Sequence, residues 1–300
     1  MKHTNIILEV KQLIKNYGKL RAVDNITFSI KEGICFGLLG PNGAGKTTAL
    51  ETIENITNPT SGEILYRGKP RAESFHEKVG IQFQETALLS LMTVKETLEV
   101  FQALYSEPDT LDKTITLCNL NEILNRDNSK ISGGQKQRLL LALAMINNPD
   151  IIFLDEPSTG MDPQNRRNMW DIINSIKEQR KTIVLTTHYM EEAEYLCDDL
   201  AILDHGKIIA QGSPEKLIKE YAKGVTITLP AQNINVPYEA ISNNFYEING
   251  YNGYVEIQTD NINSMINKLV AYNINLEDMV VHSPNLEDVF IHLTGKKLRE

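Results

Sequence analysis

No stretch of this 300-residue sequence approaches the ~20 consecutive apolar residues that a membrane-spanning helix needs. The longest candidate, Leu139 to Ile146, is eight residues and runs into Asn147-Asn148-Pro149. The first ten residues, Met1 to Val10, hold too short an apolar run for a signal peptide. A soluble chain is expected, one that can still dock on a membrane protein. Cysteine is scarce: Cys35, Cys118 and Cys197 are odd in number and widely spaced, and no CxxC pair points to zinc or a redox centre. They fit a reducing cytosol, where buried thiols pack as small apolar side chains. Positive charge is also in short supply. Thirty Lys+Arg against 39 Asp+Glu leave a net charge of −9, which argues against bulk nucleic acid as the main partner without excluding a local basic patch. Internal repeats and low-complexity tracts are absent. What is present is a 41% apolar composition, enough to bury a sizeable core, in a length that suits one large domain or two ordinary ones.

Residues 6–31 alternate like strands around a turn at Tyr17-Gly18-Lys19, and Ser61 to Pro70 reads as a strand bounded by turns. Gly33 to Gly40, Ile151 to Asp155 and Thr182 to Thr187 are apolar runs too short for helices, as expected of buried strands. Helices are expected over Lys46 to Ile56, through most of 93–146, over Met169 to Gln179 and from about Met190. Thr93 with Glu96 makes a capping box at one of these starts. Asp204-His205-Gly206, between Leu200–Leu203 and Lys207–Ala210, is a hairpin signal. Buried strands alternating with helices mean an α/β fold with a mainly parallel sheet. After about residue 222 the strong glycine motifs stop and asparagine becomes frequent, with twelve between 225 and 300. Strands near 225–229, 245–248 and 254–258, a helix at 261–272, a strand at 277–282 and a helix at 285–293 describe a small C-terminal α+β module over 223–300, distinct from a first domain over 5–222.

The chemistry begins at Gly40-Pro41-Asn42-Gly43-Ala44-Gly45-Lys46-Thr47-Thr48. Glycines let backbone N–H groups converge on phosphate oxygens, and the helix that follows adds its positive N-terminal end. Lys46 supplies a point charge to the β- and γ-phosphates, and the Thr47 hydroxyl is placed for Mg²⁺. Asp155 closes a buried strand, where a carboxylate is costly unless it meets a cation; the Mg²⁺ shell is its natural partner. Glu156 comes next, on the other side of an extended chain, where it suits a general base for the attacking water. The alternative, a pair of solvated acids at a strand end, is less favoured for both.

Downstream of the phosphate loop, Ile131-Ser132-Gly133-Gly134-Gln135-Lys136-Gln137-Arg138 is close to the Leu-Ser-Gly-Gly-Gln signature of ATP-binding cassette (ABC) ATPases. The chain resembles that family over about residues 5–222. Physically the motif is a second helix start able to offer donors to a phosphate. In the family it faces the nucleotide held by the other subunit, which implies a head-to-tail dimer with two ATPs at its interface. By the same resemblance Tyr17 is the aromatic that stacks on adenine, and Gln84 contacts Mg²⁺ and water and senses the membrane partner, with Gln82 assigned to the strand instead. Asp162, in Ser158-Thr159-Gly160-Met161-Asp162, belongs to the loop that crosses the dimer, and His188 holds the γ-phosphate. The departures are Ile131 and Met161 for leucine; neither removes a polar group.

The resemblance implies a P-loop NTPase cassette: a mainly parallel core sheet, an antiparallel N-terminal β-subdomain and a helical signature subdomain over about 86–146. It implies ATP and Mg²⁺ as ligands and an ATPase that drives a separate membrane permease from the cytoplasmic face, partnered by a second copy of itself or a homologous subunit. Thr86 to Thr93, apolar for a surface stretch, either lines the groove for the permease or packs inside the helical subdomain. Cassette relatives that serve DNA or the ribosome carry coiled-coil insertions, zinc modules or two cassettes, none of which is visible here, so nucleic acid is not expected as a partner. A cassette used only as a nucleotide-bound switch would be expected to lack Glu156. The ending Ser283 to Gly295 resembles that of drug-resistance and daunorubicin-exporter subunits. Its helical stripe Leu286, Val289, Phe290 and Leu293 packs the tail's own core or meets the cassette body or a partner subunit.

Overall fold

The computed structural model describes residues 5–84, 86–106, 108, 110–222, 224–237, 241, 248–251 and 253–295. The chain divides into two compact units, one running to Pro214 and the next beginning at Glu215. In chain order the first unit contains β1 (Ile6–Tyr17), β2 (Leu20–Lys31), β3 (Cys35–Leu39), α1 (Lys46–Ile53), β4 (Ser61–Tyr66), β5 (Lys69–Pro70) and β6 (Val79–Gln82). The helices α2 (Val94–Gln102), α3 (Leu111–Leu117) and α4 (Gly133–Met145) follow, then β7 (Ile151–Asp155), α5 (Pro163–Glu178), β8 (Thr182–Thr187), α6 (Met190–Leu196), β9 (Asp199–Asp204) and β10 (Lys207–Gly212).

Two sheets carry this unit. An antiparallel sheet runs in the order β2-β1-β4-β5, and the core sheet in the order β10-β9-β3-β8-β7-β6. Neighbours from β9 to β6 are parallel, and only β10 returns antiparallel. Every residue of β3, β7 and β8 is buried, as expected where a parallel sheet is covered on both faces. β2 alternates from its middle onward, with Ile26, Phe28 and Ile30 buried. These side chains join Phe36, Leu38, Leu50, Ile53, Phe153 and Val184 in one core, so the antiparallel sheet is joined to the main sheet by packing.

Local chemistry fixes the helix starts. Thr93 and Glu96 form the expected capping box of α2, and Ser132 and Gln135 form another on α4. α5 starts behind Asp162, whose carboxyl accepts the Asn165 N–H at 3.0 Å, with Pro163 at the first helical position. α1 stops at Ile53, capped by Glu54, short of the expected Ile56. At Gly80 of β6 an added Cβ would lie 1.7 Å from the Ala144 carbonyl oxygen; glycine is what lets α4 lie flush against the sheet.

The boundary falls at the first residue of α7 (Pro214–Tyr221), and the second unit continues with β11 (Val225–Pro230), β12 (Ile248–Tyr251), β13 (Tyr254–Thr259), α8 (Ile262–Ala271), β14 (Val280–His282) and α9 (Leu286–Thr294). Its sheet is antiparallel, in the order β12-β13-β11-β14. Ile227, Leu229, Val255 and Ile257 pack with Met265 and Leu269 of α8 into a separate core. The expected strand at 245–248 is met at Ile248; 245–247 lie outside the described residues. On α9, Leu286, Val289 and Phe290 are buried within the chain and Leu293 is half-buried. Among the described residues no helix is long and apolar enough to cross a membrane.

Candidate functional site

The parallel strands bring the C-terminal ends of β3, β6, β7 and β8 to one edge of the core sheet, the edge at which α/β folds bind ligands. β3 runs out into Gly40–Gly45, and Gly45 takes φ 100° as the N-cap of α1. A Cβ there would sit 2.3 Å from the Ala22 carbonyl oxygen, whereas Gly43, at φ 81°, faces open space. No side chain caps the N-terminus of α1 and no acid occupies its first turn, so its backbone donors and dipole remain available to an anion. The Gly206 N–H reaches the Ala44 carbonyl at 2.9 Å, and its own carbonyl accepts from Asp24 at 2.8 Å. The β9–β10 hairpin thus braces the loop.

A cavity of about 450 Å³ opens over this loop, lined by Asn42, Gly43, Gly45, Lys46, Thr47 and Thr48 and closed by Tyr17, Gln84 and Glu156. Tyr17 is half exposed, with the Lys15 ammonium 5.0 Å from its ring centre. Leu20, Arg21, Ala22 and His205 also line the cavity. None is a site residue on the sequence alone, because a turn residue and a hairpin tip, even the recognised hairpin at His205, carry no signal of what folds against them.

Lys46 is buried, with Nζ 2.9 Å from the Gly40 carbonyl, 3.2 Å from that of Pro41 and 3.5 Å from Glu156 Oε1. Burial pushes its pKa down, and Glu156 and Asp155 hold it up in part. The Asp155 carboxyl accepts hydrogen bonds from Thr47 Oγ1 at 3.3 Å and Thr186 Oγ1 at 2.5 Å; burial raises its pKa, more than these hydroxyls lower it. Glu156 behaves differently. His188 Nδ1 lies 3.2 Å from Oε1, while Gln84 Nε2 and Thr159 Oγ1 donate to Oε2 at 3.3 and 3.1 Å. Burial raises its pKa, but His188, Lys46 and Thr159 together outweigh that and leave it lowered. The two neighbouring carboxyls are therefore shifted in opposite directions by their surroundings.

The position of Glu156 differs from the extended-chain expectation. β7 ends at Asp155, and Glu156 takes φ 50° with its N–H on Thr186, a left-handed conformation uncommon for a residue with a Cβ. That turn brings both acids to the same side, facing the consecutive residues Lys46 and Thr47. Gln82 lies at the end of β6, bonded to Gln137 at 2.6 Å.

The remaining expected residues gather elsewhere. Ser132, Gly133, Gly134 and Gln135 open α4, and a Cβ on Gly134 would meet Asn165 at 3.2 Å. Asn165 in turn donates to both carboxyl oxygens of Asp162. The α4 start and the α5 start thus form one patch, and neither lines the cavity.

The donor set fits a nucleotide triphosphate with Mg²⁺: a buried ammonium, free helix-start donors, and a hydroxyl and a carboxylate within 3.3 Å of each other. Mg²⁺ is commonly held by one or two protein oxygens together with substrate phosphates. Comparison with known proteins gives the family. Residues 23–159 match the family described as ABC transporter. The chain is 42% identical over 220 residues to the Nod factor export ATP-binding protein I of Burkholderia thailandensis, covering 71% of this chain and 72% of that protein. Among solved structures, cbiO1 of Clostridium perfringens, part of the ABC transporter complex cbiONQ, superposes with a TM-score of 0.66 at 27% identity, covering 72% of this chain and 92% of that one. A dimeric bacterial ABC transporter cassette superposes with a TM-score of 0.63 at 25% identity, covering 69% and 98%. With such identity to an ATP-binding protein over more than two thirds of both chains, this chain belongs to the ATP-binding subunits of ABC transporters, ATPases that energise a membrane permease.

Proposed function

We propose that two copies of this chain, or one copy and a homologous subunit, close head to tail on two ATPs and drive an export permease from the cytoplasmic face of the membrane. The observation that carries this reading is the separation of two half-sites: the phosphate-loop cavity has no wall from Ser132–Gln135 or Asp162. In the closed dimer these residues would complete the partner's site. Gly40–Thr48 grip the phosphates, with Lys46 on the β- and γ-phosphates, and Tyr17 takes the adenine. Thr47, Asp155 and Gln84 would hold Mg²⁺, which neutralises charge developing on the phosphate oxygens. Glu156, kept ionised, polarises the attacking water, and His188 contacts the γ-phosphate. Catalysis here is mostly positioning and charge stabilisation.

Head-to-tail closure predicts hydrolysis that falls faster than linearly as the protein is diluted, while ATP binding per chain stays constant. Turnover strictly proportional to protein concentration down to a demonstrably monomeric range would contradict it.

Export is favoured by the similarity to a Nod factor export protein and by the resemblance of Ser283–Gly295 to the endings of drug-resistance and daunorubicin exporters. The cargo class is a drug, peptide, lipid or ion, chosen by the permease. Leu89 and Leu91, just after Gln84, are 68% and 97% exposed. Their side chains therefore suit a groove for the permease better than packing inside the helical subdomain. Crosslinks from cysteines placed at Leu89 and Leu91 to a co-expressed permease are the expected result, and their absence in every nucleotide state would remove this surface.

A further inference from the structure

One buried carboxyl beside the reacting groups has no role in the chemistry above. Glu192, in the first turn of α6, has no exposed surface. Its Oε1 accepts a hydrogen bond from Trp170 Nε1 at 2.9 Å, and Trp170 is itself buried on α5. Burial drives the Glu192 pKa up, and the Ser158 and Thr187 hydroxyls, the Trp170 N–H and the Arg166 charge oppose it. Ser158 Oγ and Glu192 Oε2 are nevertheless buried without a hydrogen-bond partner. Such atoms are costly where they stand, and pairing the Ser158 hydroxyl with the Glu192 carboxyl would satisfy both.

The sequence positions of these groups matter. Ser158 follows Glu156 by two residues, and Thr187 immediately precedes His188. Thr187 Oγ1 accepts the Tyr189 N–H at 3.0 Å, and the Arg166 guanidinium lies 4.2 Å from the Tyr189 ring centre. The loop from Glu156 to Asp162 leads into α5, and the loop at His188 leads into α6; Trp170 and Glu192 join the helices behind them. We propose that Glu192 is a positioning residue that clasps the Glu156–Asp162 loop to the His188 loop, so that Glu156 and His188 hold their 3.2 Å approach during hydrolysis. This rests on the assignment of Glu156 and His188 to hydrolysis. Glu192 is walled off from the nucleotide cavity, so its effect reaches the reaction only through the two loops.

The test uses the full chain and three readouts: steady-state ATP hydrolysis, ATP binding by calorimetry and the thermal midpoint. Glu192→Gln keeps the side chain's size and an acceptor for Trp170, but puts an amide nitrogen where the second carboxyl oxygen stands. It is expected to lower kcat roughly 10-fold or more through misplaced loops, with KM and ATP binding changed by no more than about twofold. Ser158→Ala is expected to act in the same direction, and the double variant to be little worse than the stronger single, since both cut one connection. Trp170→Phe removes the donor from the other side and is expected to lower kcat too, which keeps the test decisive if Glu192→Gln does not fold. An unchanged kcat in the folded variants, kcat losses that multiply, or a KM rise that tracks a lost thermal midpoint would overturn the clasp. Glu156→Gln is assayed alongside. If it retains turnover, the underlying assignment fails; if it loses turnover while Glu192→Gln does not, only the clasp fails.

Discussion

Glu156→Gln should abolish turnover while leaving ATP binding intact, with kcat falling on the order of 10²- to 10⁴-fold, the range of a positioned general base. The substitution keeps shape and hydrogen-bonding capacity, so Gln84, Thr159 and His188 can remain near their present places. What disappears is the negative charge that His188, Lys46 and Thr159 stabilise against burial. A carboxyl with a lowered pKa is ionised at neutral pH and ready to polarise water without first shedding a proton. The amide cannot take that role at any pH. Lys46 does lose its partner at 3.5 Å, but the Gly40 and Pro41 carbonyls still hold its ammonium, so phosphate binding survives. Calorimetry with ATP beside a phosphate-release assay separates the two effects. Turnover within tenfold of the parent, far below the loss a missing base causes, would show that Glu156 only shapes the loop.

Lys46→Met should have the complementary result: ATP affinity drops by roughly 10- to 100-fold, since a hydrogen bond to a charged group contributes about 1.5–3 kcal/mol, and hydrolysis falls with it. The ammonium sits on the phosphate loop's own Gly40 and Pro41 carbonyls, and its burial means that little water competes for it. Removal has a second consequence. Glu156 depends partly on Lys46 for its low pKa, so it should hold its proton more tightly in the variant, and any residual activity should shift to higher pH. Lys46→Arg is not expected to rescue, because a planar guanidinium does not fit where a compact ammonium meets two carbonyls. ATP affinity within about twofold of the parent, too small a change for a lost charged contact, would sink the assignment.

Much of this was readable from residues 5–222 as a string. Glycine spacing, three short apolar runs and the Thr93–Glu96 capping box are local patterns with local causes, and the elements they predict are present within a few residues. Gly45 needs a positive φ and Ser132 needs a helix behind it, and both needs show in the sequence. Glu156 did not yield to the same logic. Alternation placed it opposite Asp155, yet a left-handed turn, supported by the Thr186 hydroxyl and carbonyl, puts both acids on one side. No rule of strand alternation contains a residue from the next strand. The same limit hid Leu20, Arg21 and His205, which meet the cavity only because a hairpin and a β-turn fold over the phosphate loop.

By itself, then, the sequence determined the phosphate loop, the second helix start and the succession of buried strands along the chain, since these depend on backbone conformation and hydrophobic period over a few residues. The tertiary structure alone decided which groups face one another: Lys46 against Glu156, Thr47 and Thr186 against Asp155, and Glu192 behind both loops. Each of those pairings joins separate strands or helices, and the electrostatics of a buried charge is set by what surrounds it in space.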